Sequence, residues 1–205
     1  MKTKSEQLFE TFLNANNVQF EKIEELKEKG AYRPDYLVTL GNLQLVFELK
    51  ELAEDNNFSV DSSKPSTKIV GDHVRRRIES SKKQIQYGAN QGIPSILLIY
   101  NDLDPLQMFG TEDHDFTTAM YGELTILFDK NTRQSSEMFN GKNQSLQQCK
   151  NTSFGAVGRL CDRGGIITVT LFENVFSKVK VPYEHLPPCF EVRRVEVSAE
   201  PLSFA

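Results

Sequence analysis

The sequence has little cysteine, no tryptophan and no long apolar run, and most of these absences exclude a class of protein. Its three cysteines, at positions 149, 161 and 189, are widely spaced and include no C-x-x-C pair. This pattern argues against a disulfide framework and a structural zinc site, and it favours a reducing, cytoplasmic setting. The longest apolar runs, such as residues 93–100, are far too short to cross a bilayer. The first residues lack the apolar segment of a signal peptide.

Other common site motifs are missing as well. The three histidines, at positions 73, 114 and 185, have no H-x-x-x-H or similar spacing, so we expect no histidine metal site. The glycines between residues 155 and 165 fit neither a P-loop nor a dinucleotide fingerprint, and they indicate a hairpin instead. Neither Ser153 nor Cys161 lies in a nucleophile motif.

What the chain does have is enough apolar material for one large domain. Of its 205 residues 39% are hydrophobic and 25% are charged, which suits a buried core in a soluble protein. We expect a single domain, with a core over residues 5–100 and a C-terminal elaboration over residues 101–205.

Hydrophobic periodicity over the first hundred residues predicts alternating helices and strands. The predicted elements are a helix over residues 5–16, strands over 18–23, 32–40 and 43–49, a helix over about 71–90 and a strand over 93–100. Gly41-Asn42 is the predicted turn of a hairpin. The polar segment 53–67 predicts a mobile loop. This α-β-β-β-α-β order favours an α/β fold with both parallel and antiparallel strand pairs.

The second half is less regular. Residues 101–116 suggest a loop or a short helix. The predicted strands are 124–128, a hairpin of 154–161 with 166–172, and 191–197.

Two carboxylates and a lysine fall on neighbouring predicted strands. In residues 43–50 a period of two places Glu48 and Lys50 on one face and the leucines and Phe47 on the other. The hairpin brings Asp35 onto the adjacent strand, within reach of Glu48. Metal-dependent phosphodiester cleavage needs hard oxygen ligands and positive charge near phosphorus. The pattern therefore predicts a divalent-metal site at these three residues.

The segments R-P-D-Y-L-V at 33–38 and V-F-E-L-K at 46–50 resemble the PD-(D/E)XK nuclease superfamily, which includes type II restriction enzymes and archaeal Holliday-junction resolvases. The resemblance covers residues 5–100 and implies a restriction-endonuclease-like core with added C-terminal β-hairpin elements. It implies Mg²⁺ or Mn²⁺ bound by Asp35, Glu48 and the carbonyl of Phe47 or Leu49. Lys50 would orient the attacking water or stabilise the pentavalent charge.

The same resemblance implies two supporting residues. A helical glutamate holds water at the metal, and Glu6 is the best match, with Glu10 one turn on as the alternative. In the RecB-like exonucleases a glutamine, followed a few residues later by a tyrosine, contributes to the site. Gln84 fits this role, although its spacing to Tyr87 departs from that pattern.

A basic segment is the expected phosphate contact. The net charge is -4, yet residues 68–83 hold six basic side chains against two acidic ones. We expect these side chains to bind the DNA backbone without reading sequence, and segment 53–67 to order over bound nucleic acid. The residues concerned are Lys68, Arg75, Arg76, Lys82 and Lys83. No membrane partner is expected.

Each feature has an ordinary structural alternative. Glu48 and Lys50 would also suit an exposed ion pair on an edge strand, contributing at most about 1 kcal/mol. Carboxylates at positions 6 and 10 suit a helix N-terminus, and an arginine run suits a solvated helix face. The alternative function is an inactive nuclease-fold module that binds nucleic acid or acts as a structural subunit. A homodimer formed through residues 115–205 is a further alternative.

Overall fold

A mixed seven-stranded sheet with helices on both faces forms the centre of this α/β protein. The computed structural model describes residues 2–24, 32–53, 69–104, 106–107 and 109–197. The helices are α1 (Lys4–Ala15), α2 (Asp72–Ser80), α3 (Lys82–Ala89) and α4 (Asp113–Tyr121). The strands are β1 (Gln19–Lys22), β2 (Tyr36–Leu40), β3 (Leu43–Leu52), β4 (Ser95–Asn101), β5 (Leu124–Thr125), β6 (Phe139–Asn140), β7 (Phe154–Arg163), β8 (Ile166–Glu173) and β9 (Phe190–Arg193).

The sheet runs in the order β1-β2-β3-β4-β7-β8-β9. Strands β1, β2 and β3 form an antiparallel meander, and the predicted turn at Gly41-Asn42 is confirmed, since Leu40 pairs with Leu43. Strands β3, β4 and β7 are parallel to one another, so their carboxyl ends lie at one edge of the sheet. Strands β7 and β8 form the predicted hairpin, and β9 pairs parallel to β8.

Each face of the sheet buries its own apolar core. Helix α1 covers one face, where Phe9, Phe12 and Leu13 pack with Leu45 and Phe47 of the sheet. Helices α2, α3 and α4 cover the opposite face, and their apolar side chains share a second core with β4, β7 and β8. The members of that core from the helices are Val74, Ile78, Ile85, Phe116, Ala119, Met120 and Tyr121.

Several predicted boundaries were wrong. The single helix expected over residues 71–90 is two helices, because the backbone at Ser81 (φ -97°, ψ 0°) departs from helical geometry. The strand expected from residue 32 begins at Tyr36, and the one expected over 124–128 is a strand only at Leu124–Thr125, with an isolated bridge from Phe128 to Ser135. Helix α4 begins at Asp113, inside the region 101–116 that suggested a loop or a short helix, and the last strand ends at Arg193.

The C-terminal hairpin strands belong to the central sheet itself. Strand β7 pairs with β4 from residue 95 to residue 100, so both halves of the chain contribute to one sheet. Among the described residues, no helix has the length and hydrophobicity needed to span a membrane.

Candidate active site

Strand β3 alternates its side chains between the two cores. Phe47 and Leu49 face α1, whereas Val46, Glu48 and Lys50 face the α2–α3 side, as the period-two pattern predicted. The backbone N–H and C=O groups of successive β3 residues also point alternately to the two neighbouring strands. The N–H of Val46 donates to the Pro94 carbonyl beside β4, so the N–H and C=O groups of odd-numbered residues point towards β2.

Asp35 lies immediately before β2 and is tied to β3 through both its main chain and its side chain. Its N–H donates to the Phe47 carbonyl at 3.0 Å, and its Oδ2 accepts from the Leu49 N–H at 2.7 Å. Because Tyr36 pairs with Phe47, Asp35 stands opposite Glu48. Burial raises the pKa of Asp35, the Leu49 N–H and the Lys50 charge oppose that rise, and the negative charge of Glu6 adds to it.

Glu48 is a buried carboxyl, with a side chain only 3% exposed. Its Oε1 lies 2.6 Å from Lys50 Nζ, whereas its buried Oε2 has no hydrogen-bond partner among the described residues. Burial, and then the negative charge of Asp35, raise the pKa of Glu48 to about 8, against the opposing effect of Lys50. The two carboxyls are close enough to hydrogen bond when one of them holds a proton. The predicted convergence of these three side chains therefore occurs.

This geometry makes one structural alternative wrong. Glu48 and Lys50 are not an exposed pair on an edge strand, because β3 lies third in the sheet and Glu48 is buried. Lys50 is 26% exposed, so its ammonium reaches both Glu48 and solvent. A buried carboxylate facing a second carboxylate costs free energy, and such an arrangement is typical of a functional site.

Helix α3 places Gln84 at about the same level along the sheet as Glu48. Gly88, near the C-terminal end of α3, lies against Val46 of β3 and against Ser95, the first residue of β4. Because residues 90–94 are a short link from α3 to β4, the helix runs opposite to β4 and to the parallel strand β3. Gln84 is four residues before Gly88, about 6 Å along the helix. Glu48 is two residues after Val46, about 7 Å along the strand. Gln84 Oε1 is also buried without a partner among the described residues, like Glu48 Oε2.

Glu6 lies beside the site but is held by other residues. Its Oε2 accepts from the Thr3 N–H at 3.1 Å in a capping box at the start of α1, and its Oε1 lies 2.9 Å from Lys22 Nζ. The alternative, Glu10, accepts from the Tyr36 hydroxyl at 2.8 Å and pairs with Lys2. Of these two glutamates, only Glu6 is among the main influences on the pKa of Asp35. That favours Glu6 as the supporting carboxylate.

The basic side chains differ in how far their charges are already neutralised. Arg75 donates to the carbonyls of Val70, Asn143 and Thr118, so it fastens α2 to neighbouring segments. Arg76 pairs with Asp72, and Lys82 pairs with Glu79. Lys83 instead lies over the Tyr32 ring, 4.2 Å from its centroid. Lys68, and segment 53–67 apart from Ala53, lie outside the described residues.

The donor set suits a hard divalent cation. Asp35 and Glu48 offer carboxylate oxygens, and the Leu49 carbonyl points to the same edge of β3 as the Leu49 N–H that bonds Asp35. Mg²⁺ is commonly bound by one or two carboxylates and keeps several waters. Among the described residues no group of three or more His, Cys, Asp or Glu side chains is arranged to hold a metal. The predicted set needs only two carboxylates with a main-chain carbonyl, and Glu48 Oε2, which has no hydrogen-bond partner in the described part of the chain, fits it.

Sequence reasoning missed several residues beside the site. Lys22, which pairs with Glu6, also lowers the pKa of Asp35. Lys22 lies here because it pairs with Tyr36 in the antiparallel register of β1 and β2. Pairing the two predicted strands 18–23 and 32–40 antiparallel would have placed Lys22 near Asp35. The contacts of Tyr32 with Lys83 and of Arg33 with Tyr87 join distant segments, and no local signal indicates them.

Comparison with known proteins gives no relative. The chain matches no family model, and searches of curated proteins and of solved structures find nothing similar.

Proposed function

We propose that this protein is a Mg²⁺- or Mn²⁺-dependent nuclease that hydrolyses phosphodiester bonds in DNA through a PD-(D/E)XK-type site. The observation that carries the proposal is the convergence of Asp35, buried Glu48 and Lys50 on one face of adjoining strands. Glu48 Oε2 adds support, because it is buried without a hydrogen-bond partner among the described residues and is therefore available to a cation when Glu48 is ionised.

The roles follow from the contacts. Asp35, Glu48 and the Leu49 carbonyl would hold the cation, and the Leu49 N–H fixes the Asp35 carboxylate in place. When bound, a divalent cation supplies Lewis-acid polarisation of the phosphate. Lys50, partly exposed and beside Glu48, donates to a phosphate oxygen and stabilises charge that develops on phosphorus.

The proton equilibrium of Glu48 matters for this role. A pKa of about 8 keeps Glu48 largely protonated at neutral pH without a cation. Cation binding requires the ionised form, so it releases a proton. We therefore expect weaker metal binding and slower cleavage as pH falls from 8 towards 6.

The test is cleavage of supercoiled plasmid and of single-stranded DNA with Mg²⁺, Mn²⁺ or EDTA. Asp35→Asn, Glu48→Gln and Lys50→Met should each lower the wild-type rate by about 100-fold or more. The matched control is Glu51→Gln, since Glu51 lies on the same strand but faces α1, where it accepts from the Ser5 N–H. The control should cleave within about threefold of wild type and have a similar Tm.

A second measurement separates binding from turnover. Mn²⁺ should raise the Tm of the wild type but not that of Asp35→Asn, because only ligand binding to the folded state stabilises it. Equal cleavage by wild type and all three variants would defeat the proposal. A Tm rise that depends on Asp35, without cleavage of any substrate, would favour the inactive nuclease-fold module instead.

A further inference from the structure

Two cation–aromatic contacts join the segment before β2 to helix α3. Lys83 Nζ lies 4.2 Å from the centroid of the Tyr32 ring, and Arg33 Cζ lies 5.7 Å from that of Tyr87. Lys83 and Tyr87 are one turn apart on α3, and Tyr32 and Arg33 are neighbours in sequence. The four side chains thus interleave two aromatic rings with two cations; we call this group the aromatic–cation cluster.

The cluster borders the candidate active site on two sides. Tyr32 and Arg33 are followed by buried Pro34 and then by Asp35, so at most about 10 Å of chain separates Tyr32 from Asp35. Lys83 directly precedes Gln84, whose Oε1 is buried without a hydrogen-bond partner among the described residues. Asp35 stands opposite Glu48, which pairs with Lys50, so we expect a strand whose phosphate reaches Lys50 to pass near this cluster.

The two cations of the cluster differ from their neighbours on α2 and α3 in their partners. Among the described residues neither Arg33 nor Lys83 forms an ion pair with a carboxylate, whereas Arg76 and Lys82 on the same helical region do. Tyr32 is 45% exposed, and Lys83 is exposed beside it. The cluster therefore offers both an accessible ring and available positive charge.

We propose that the aromatic–cation cluster binds unpaired nucleotides next to the scissile phosphate, so that the site takes single-stranded DNA in preference to intact duplex. The inference rests on the proposed function for its substrate. A base inside a duplex is stacked on both faces, so only an unstacked base can lie on a tyrosine ring. Such stacking is tolerant of sequence, and cations beside the rings bind the adjoining phosphates.

The experiment measures binding in EDTA, where cleavage cannot occur. A fluorescein-labelled single strand and the duplex of the same sequence are titrated with wild type, Tyr32→Ala and Tyr32→Phe. We expect wild type to prefer the single strand, Tyr32→Ala to weaken single-strand binding about tenfold and leave duplex binding unchanged, and Tyr32→Phe to stay close to wild type. A strand carrying 2-aminopurine should be quenched by wild type and much less by Tyr32→Ala.

A charge-matched pair tests the cations. Lys83→Gln should weaken single-strand binding and lower the salt slope by about 0.7, the contribution of one phosphate contact. Lys82→Gln removes the same charge from the adjacent residue, which already pairs with Glu79, and should have the smaller effect.

The outcomes separate this inference from the proposed function. Single-strand binding that depends on Tyr32, in a protein that cleaves nothing, would keep the inference and overturn the nuclease. If the protein is a nuclease but Tyr32→Ala weakens single-strand and duplex binding by the same factor, or changes neither affinity, the inference alone is overturned. A purely structural cluster would lower the Tm of Tyr32→Ala without changing the ratio of the two affinities.

Discussion

At the scale of single residues, Glu48 is the side chain whose position is hardest to explain by stability. It is buried on a central strand, one of its oxygens has no partner among the described residues, and its nearest acidic neighbour is Asp35. Lys50 compensates part of this cost from a partly exposed position. A sequence selected only for stability would place an apolar residue there, as at Phe47 and Leu49 on the other face.

Replacing Glu48 by glutamine should therefore change how stability depends on pH. The pKa of Glu48 is raised from an ordinary 4.5 to about 8 in the folded state, so between these values the folded protein binds more protons than the unfolded chain. Its contribution to the free energy of unfolding consequently falls as pH rises through that window and is lowest above pH 8. Glutamine does not titrate and lacks this fall. Without metal, we therefore expect the free energy of unfolding of Glu48→Gln to rise relative to that of wild type by up to about 4 kcal/mol between pH 5 and pH 9.

The measurement is urea unfolding of both proteins in EDTA at several pH values, followed by circular dichroism. Because the other titrating groups are common to both proteins, the difference between them reports Glu48 together with its coupling to Asp35. If the free energies of unfolding of the two proteins changed in parallel with pH, or if that of the variant fell relative to wild type as pH rose, the pKa of Glu48 would not be raised. Saturating Mg²⁺ should raise the free energy of unfolding of the wild type at high pH and leave that of the variant unchanged.

At the scale of elements, the contact of α3 with β3 depends on Gly88. A Cβ at this position would lie 2.3 Å from Val46 Cγ2 and 2.5 Å from Ser95 Oγ. Alanine is normally the better helix former, but here it forces α3 away from the sheet. We expect Gly88→Ala to lower the free energy of unfolding by about 1–3 kcal/mol. Cleavage should also fall, because Gln84 moves with the helix.

The compensating change is Val46→Ala, which removes the methyl group nearest to the new Cβ. In a double-mutant cycle we expect Val46→Ala to cost less in the Gly88→Ala background than in wild type, with a coupling of about 0.5–3 kcal/mol. Strictly additive effects in the cycle would mean that the two elements do not touch as described.

How much of these elements the sequence reveals depends on the range of the interactions. The alternation in residues 43–50 correctly predicted which face of β3 holds Glu48 and Lys50, since a strand's period is local. The turn at Gly41-Asn42 then fixed the register that brings Asp35 to Glu48. The contact of Lys83 with Tyr32 was missed because it joins segments that are distant in sequence, and the apolar stripe of residues 71–90 gave no sign of the break at Ser81.

At the scale of the whole molecule, the site is built on a sheet that both halves of the chain complete. The resemblance that pointed to the site covers residues 5–100, and those residues supply β1 to β4. Every residue of β4 is buried, and its second neighbour in the sheet is β7 from the C-terminal half. The second core likewise needs Phe116, Val157 and Phe172 to cover Leu97 and Ile99.

A fragment that ends at residue 101 should therefore not fold. It would expose one edge of β4 and lose the side chains of α4, β7 and β8 that fill the second core. An exposed hydrophobic edge strand is a site of aggregation. We expect the full chain to unfold in a single cooperative urea transition, with an m value suited to 205 residues, and the fragment to aggregate or to lack such a transition.

A soluble fragment with its own cooperative transition, together with two transitions in the full chain, would show that residues 1–101 form an independent domain. In that case the C-terminal strands would be an addition to the site rather than part of the fold that supports it.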